Sequence, residues 1–172
     1  MEKSKVLASW YFGPRYLIPP DSTNLTYREG RWMEIHEKRL GRVFRLRFTR
    51  GEDFFAEISK FAREKGIKEA SLFVIGALED GQMITGFSSA EGYNVNRRAV
   101  GHREFFAVGN LTWPVKRPQA VDENESWEKP QPYAHIHLSL GPDVGIEKQE
   151  VLVGHLSKGI ARGMFVDLYE LL

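Results

Sequence analysis

The 172-residue chain carries 24 Lys and Arg against 23 Asp and Glu, a formal net charge of +1, with 42% hydrophobic and 27% charged residues. This is ordinary globular usage, which excludes wholesale disorder and a surface that grips nucleic acid by overall charge, and the length suits one compact domain. The chain contains no cysteine, which removes disulfides, thiolate ligands and cysteine nucleophiles and leaves histidine and carboxylate chemistry.

Residues 1–38 hold aromatic and turn-forming residues without sustained periodicity, among them Trp10, Tyr11, Phe12, Pro19 and Pro20. They read as an extension that packs on the domain or on a neighbouring subunit, with one short strand near Tyr27–Trp32. The first residues lack the apolar run of a signal peptide, and no stretch approaches the roughly 18 apolar residues of a membrane span, so a soluble cytoplasmic protein is expected.

From Gly41 onward the pattern sharpens into a domain over residues 39–172. Val43, Leu46 and Phe48 interleave with Arg42, Arg45 and Arg47, the pattern of a half-buried strand with a basic outer face. Arg39, Arg42, Arg45, Arg47 and Arg50 form the most basic stretch, which suits a solvated face or a subunit contact better than a base-stacking surface. Thr49-Arg50-Gly51-Glu52 has capping-box form, Phe54, Ile58, Phe61 and Ala62 recur at helical spacing, and Gly66 supplies a stop. The spacing predicts an amphipathic helix over residues 52–65.

Residues 69–78 predict a buried strand in which Gly76 marks a bulge or a close backbone approach. Glu79-Asp80-Gly81-Gln82 predicts a turn, followed by a strand at 83–87, a turn at 91–94 and strands at 95–101 and 104–112. Residues 114–132 contain four prolines and many charges and read as a long loop, the kind of segment that can act as a lid beside a site. Beyond it come a strand from Tyr133, a turn at 141–145, a strand at 151–156, a turn at Ser157-Lys158-Gly159 and a closing strand at 164–171. One strong helix among many strands predicts an α+β fold, a mostly antiparallel curved sheet with the helix on one side.

Tyr133–Leu156 holds three of the five histidines. His135 and His137 alternate with Ala134, Ile136 and Leu138, so on a strand both imidazoles project from one face. His155 lies in a second apolar run, Val151–Leu156, and pairing of the two runs would let three imidazoles converge. Three nitrogen ligands suit a borderline metal such as zinc, with a fourth position open to water or substrate. Histidines on a half-exposed strand are also common as plain polar face residues. His36, among Glu34, Glu37, Lys38 and Arg39, reads as a solvated-face residue, and His102, after a glycine at a strand start, as structural rather than a ligand.

In order and approximate spacing, Arg50-Gly51-Glu52-Asp53, Ile75-Gly76-Ala77-Leu78, His135-Ile136-His137 and Gly154-His155-Leu156 resemble the PPC domain shared by plants and prokaryotes, over roughly residues 41–172. The resemblance implies a homotrimer and, as in prokaryotic members, zinc held by His135, His137 and His155. Members are commonly labelled DNA-binding because plant relatives join the domain to AT-hooks; this chain has no Arg-Gly-Arg-Pro core. The fold is also similar to that of acetolactate decarboxylase and of a zinc-dependent ester hydrolase. Two expectations follow. One is a homotrimeric binding or regulatory protein with a zinc site and a weak or indirect DNA association. The other is a zinc enzyme acting on a small carbonyl, carboxylate or ester compound, with Glu104 as its acid or base.

Overall fold

The computed structural model describes residues 25–28, 31–85, 96–118, 120–122, 124–127, 129–142 and 151–172. The aromatic residues before Leu25 and the turns expected at 91–94 and within 143–145 lie outside these. The chain divides into two units, Met1–Glu37 and Lys38–Leu172. In the first, the single short strand expected near Tyr27 is two strands, β1 (Leu25–Arg28) and β2 (Arg31–Glu34), paired antiparallel with Tyr27 opposite Trp32.

The second unit runs β3 (Leu40–Phe48), α1 (Phe54–Lys65), β4 (Ala70–Thr85), β5 (Asn96–Thr112), β6 (Tyr133–Leu140) and β7 (Leu152–Leu171). The sheet is antiparallel throughout, in the order β3-β7-β4-β5-β6, and β6 pairs again with the first residues of β7. That last pairing closes β4, β5, β6 and β7 into a ring, so the curvature expected from sequence is strong enough to bring two sheet edges together. One face of these strands is the core, where Leu72, Val74, Leu111, Ile136, Val166 and Leu168 pack with Ile58 and Ala62 of α1. No helix among the described residues is long and apolar enough to cross a membrane.

The helix starts at Phe54, two residues after the predicted start. Glu52 does reach back to Thr49, accepting from its backbone N–H and its hydroxyl, but this closes a turn ahead of the helix. The cap itself is Asp53, whose carboxylate accepts from the Ala56 N–H at 3.0 Å. Gly66 ends the helix at φ 69°, and the Ile67 N–H returns to the Ala62 carbonyl at 2.9 Å. Burial of Ile58 alone stabilises the packed helix by about 1.5–3 kcal/mol.

Two expected turns are absent, since Glu79–Gln82 lies inside β4 and Ser157–Gly159 inside β7, and the gap between the strands expected at 95–101 and 104–112 lies inside β5. The polar and glycine residues there mark bends rather than turns. All three sit at one level of the sheet, where Asp80 faces Gly101 and Gly81 faces both Val100 and Gly159. The β4–β7 register shifts on either side of Leu78 and again after Gln82, and His102 sits at φ 38°. Bulged, strongly twisted strands of this kind let a sheet curl without breaking its ladder. Gly76 is the close approach that its sequence setting predicts. Its φ is 154°, and a Cβ there would come within 2.4 Å of the Gly163 carbonyl oxygen on β7.

Candidate metal centre

Strand periodicity sets the site. On β6, Ala134, Ile136, Leu138 and Leu140 are buried, so Tyr133, His135, His137 and Ser139 share the opposite face. On β7, His155 stands directly across from His137, and on the far side of β7 it faces Ile84 of β4. Ring closure is therefore what brings the third imidazole to the first two. Gly109 of β5 contributes from behind: it faces Ile136, and a Cβ on it would strike the His135 carbonyl oxygen at 2.1 Å. Any larger residue would push β6 off β5 and the histidines with it.

The three imidazoles converge, with a ligating nitrogen from each within 4.8 Å of the others. The Nε2 atoms of His135 and His137 are 3.0 Å apart. Ring centroids lie 4.9 Å apart for His135 and His137, 4.8 Å for His135 and His155, and 5.5 Å for His137 and His155. Metal–nitrogen bonds of about 2.0–2.1 Å in a tetrahedron place two nitrogens about 3.4 Å apart, so these separations suit a shared ion after small ring adjustments. Two Nε2 atoms at hydrogen-bonding distance require one of them to carry a proton, and that proton is what a metal would displace.

The electrostatics favour neutral rings at His135 and His155. Burial pushes the His155 imidazole down to about 4, with repulsion from His135, His137 and Arg97 adding to it. Burial also lowers His135, with His137 the second cause. Neutral imidazoles are the metal-binding form. The donor set of three nitrogens and no carboxylate suits borderline divalent ions, zinc among them.

Tyr133 was not singled out by the sequence reading as part of the site. Its hydroxyl lies 3.2 Å from His155 Nε2, and its ring stacks near that of His135, with centroids 6.2 Å apart. The signal was available, because Tyr133 precedes His135 by two residues and therefore shares its face.

Glu104 is not brought to the histidines. On the β5 face turned toward them, Asn110 faces His135 and Val108 faces His137, while Phe106 and then Glu104 lie further along the strand. At about 3.4 Å per residue, Glu104 stands roughly 14 Å along the strand from Val108. Its exposed side chain belongs instead to the sheet end near Gly141. His102 lies 3.4 Å from Glu79, which also pairs with Arg50, and these two partners hold the Glu79 carboxylate below its usual range, the Arg50 hydrogen bond most strongly.

The basic strand is largely neutralised within its own sheet. Arg42 clasps buried Glu170 through Nε and Nη2, each at 2.7 Å, and Arg45 makes a two-pronged pair with Asp167 at 2.6 and 2.7 Å. The Arg42 hydrogen bonds drive the Glu170 carboxylate down to about 2.

A closed antiparallel sheet with one capped helix, carrying three histidines on adjacent strands, defines a class of small single-helix β-sheet domains with a metal-ready surface cluster. The chain belongs to the Plants and Prokaryotes Conserved (PCC) domain family, whose model matches residues 35–168. Among solved structures it is similar to a plant- and prokaryote-conserved protein of Pyrococcus horikoshii, at 25% identity and a TM-score of 0.61, with 81% of this chain and 85% of that chain covered. A metal-containing protein of Archaeoglobus fulgidus is similar at 26% identity and a TM-score of 0.62, over 81% of this chain and 86% of that one. A Ralstonia eutropha protein provisionally named as DNA-binding shares the fold at 12% identity and a TM-score of 0.55, over 87% and 83%. No curated protein matches the chain.

Proposed function

We propose that the protein is a homotrimeric PPC-type binding or regulatory module in which His135, His137 and His155 hold one divalent metal ion, with zinc the leading choice. The observation that carries this reading is the convergence of three imidazoles on one sheet face, supplied by two strands that meet only because the sheet closes. The A. fulgidus relative, a metal-containing protein, supports it. Bound there, the ion would supply a Lewis-acidic position open to one further ligand. Within one chain Glu104 is too distant to serve as its acid or base.

The trimer is supported by the sheet face beside the histidines. One row across the sheet runs Arg45, Asp167, Phe73, Val108 and His137, and the next runs Arg47, Phe165, Ile75, Phe106 and Ser139. Phe73, Ile75, Phe106, Val108 and Phe165 are 46–65% exposed, an apolar patch that single chains rarely leave uncovered. A second and third copy are the proposed cover. Any direct DNA contact would fall to the β3 arginines. With Arg42 and Arg45 committed to carboxylates, its affinity would be low and would fall steeply with salt.

The test is metal content by elemental analysis of purified protein. Wild type is expected to hold close to one ion per chain and His137→Ala close to none, with the same fold by circular dichroism. Equal metal in the two proteins would refute the ligand assignment.

A further inference from the structure

A cavity of about 440 Å³ opens between α1, the loop from Trp113 to Pro132 and the start of β6. His155 and Tyr133 both line it, while His135 and His137 do not, so the cavity reaches the cluster at its His155 edge. The loop is tied down around it. At one end the Trp113 indole N–H donates to the Ile67 carbonyl at 2.8 Å, while Lys68 sits 3.7 Å over its ring. At the other end the Ser59 hydroxyl donates to the Pro132 carbonyl at 3.4 Å. In between, the Trp127 indole donates to the Pro114 carbonyl at 3.2 Å, and Arg97 donates to the Ala120 carbonyl at 3.4 Å. These walls are fixed before any ligand arrives, which lowers the ordering cost of binding.

The lining has two chemically distinct parts. Phe55, Trp127 and Tyr133 supply flat apolar surface, with the last two rings edge-to-face at 6.3 Å. Arg63 in the wall, joined by a divalent ion if one is held at the histidines, would supply positive charge against two lining carboxylates, Glu125 and Asp53, the latter committed to capping α1. Aromatic surface beside a cationic end selects an amphipathic anion.

We propose that this cavity is the ligand pocket of the histidine cluster, and that it takes a small carboxylate with an aromatic tail: the tail between Phe55 and Trp127, the carboxylate toward His155, with the Tyr133 hydroxyl as its hydrogen-bond donor. The inference rests on the metal reading above and adds to it the ligand class and the direction of approach. Tyr133 is placed for this role because its hydroxyl lies 3.2 Å from His155 Nε2 and the residue lines the cavity.

Zinc-loaded full-length protein titrated with phenylacetate and with acetate, followed by calorimetry and by tryptophan fluorescence, tests it. Phenylacetate is expected to bind at least tenfold more tightly than acetate. Trp127→Ala should abolish that preference and Trp127→Phe should retain most of it, with zinc content unchanged in both. Tyr133→Phe should weaken both acids about tenfold while the zinc stays. Equal affinity of wild type for the two acids, or affinities that neither Trp127→Ala nor Tyr133→Phe alters, would overturn the pocket assignment alone. Wild type that takes up no zinc would overturn the metal reading, and this inference with it.

Discussion

The two faces of the sheet are built from the same kinds of residue, with opposite outcomes. On one face Leu72, Val74, Ala107 and Val166 are 0–3% exposed beneath α1 and the ring of strands. On the other, Phe73, Ile75, Phe106, Val108 and Phe165, their immediate neighbours in sequence, are 46–65% exposed. Alternation along a strand usually separates apolar from polar residues. Here it separates a core that one chain completes from an apolar surface that one chain leaves open. In the proposed assembly buried area would be divided between folding and association, and the histidines stand at the border of the second surface, His137 directly beside Val108.

Truncation on the covered face should have the largest effect on stability. Leu72→Ala removes a fully buried side chain, and a loss of about 3 kcal/mol is expected, which lowers the melting midpoint by roughly 6–12 °C. Thermal unfolding followed by circular dichroism would check it, and a loss under ~1 kcal/mol would break the distinction between the faces. On the open face, Phe106→Asp should barely alter the fold of the single chain yet convert the assembly to single chains in light scattering. If Phe106→Asp left the assembly intact, the cover would have to lie elsewhere.

The smallest expected effect is a dependence on pH. In metal-stripped protein, His155 is held down to about 4 and His135 is lowered too, in both cases chiefly by burial. In the unfolded chain both return to about 6.5. Between those limits the unfolded state binds protons that the folded state refuses, so stability should decline as pH falls from about 6.5 toward 4. Urea titrations at several pH values would measure the slope. His155→Gln should flatten it, and a slope unchanged in His155→Gln would assign the effect to other groups.

Much of this was legible in the chain because period two and period 3.6 are local signals. The His-x-His spacing placed two imidazoles on one face, and Phe54, Ile58 and Ala62 traced the buried side of α1. The bends were not legible. Asp80-Gly81 and Ser157-Lys158-Gly159 have the composition of turns, and only the pairing of Gly81 with Gly159 across two long strands shows that the chain continues. The separation of Glu104 from the cluster was hidden for a related reason. It depends on the β5–β6 register, which no local pattern records. The alternation of β6 places Tyr133 on the face of His135, but its approach to His155 depends on ring closure, which no local pattern records.

Strand β7 borders β3, β4 and β6, and is the last described element in chain order. A ribosome therefore delivers the piece that completes the core after everything it must touch. Until it arrives, β3 has no partner among the described strands, the ring stays open, and the histidine pair on β6 waits for its third member. Folding dominated by such distant pairings is slow, and an open sheet with two apolar faces invites wrong partners. Copies translated close together would be expected to depend on chaperones until β7 is in place, and metal uptake would then report that the chain had finished folding.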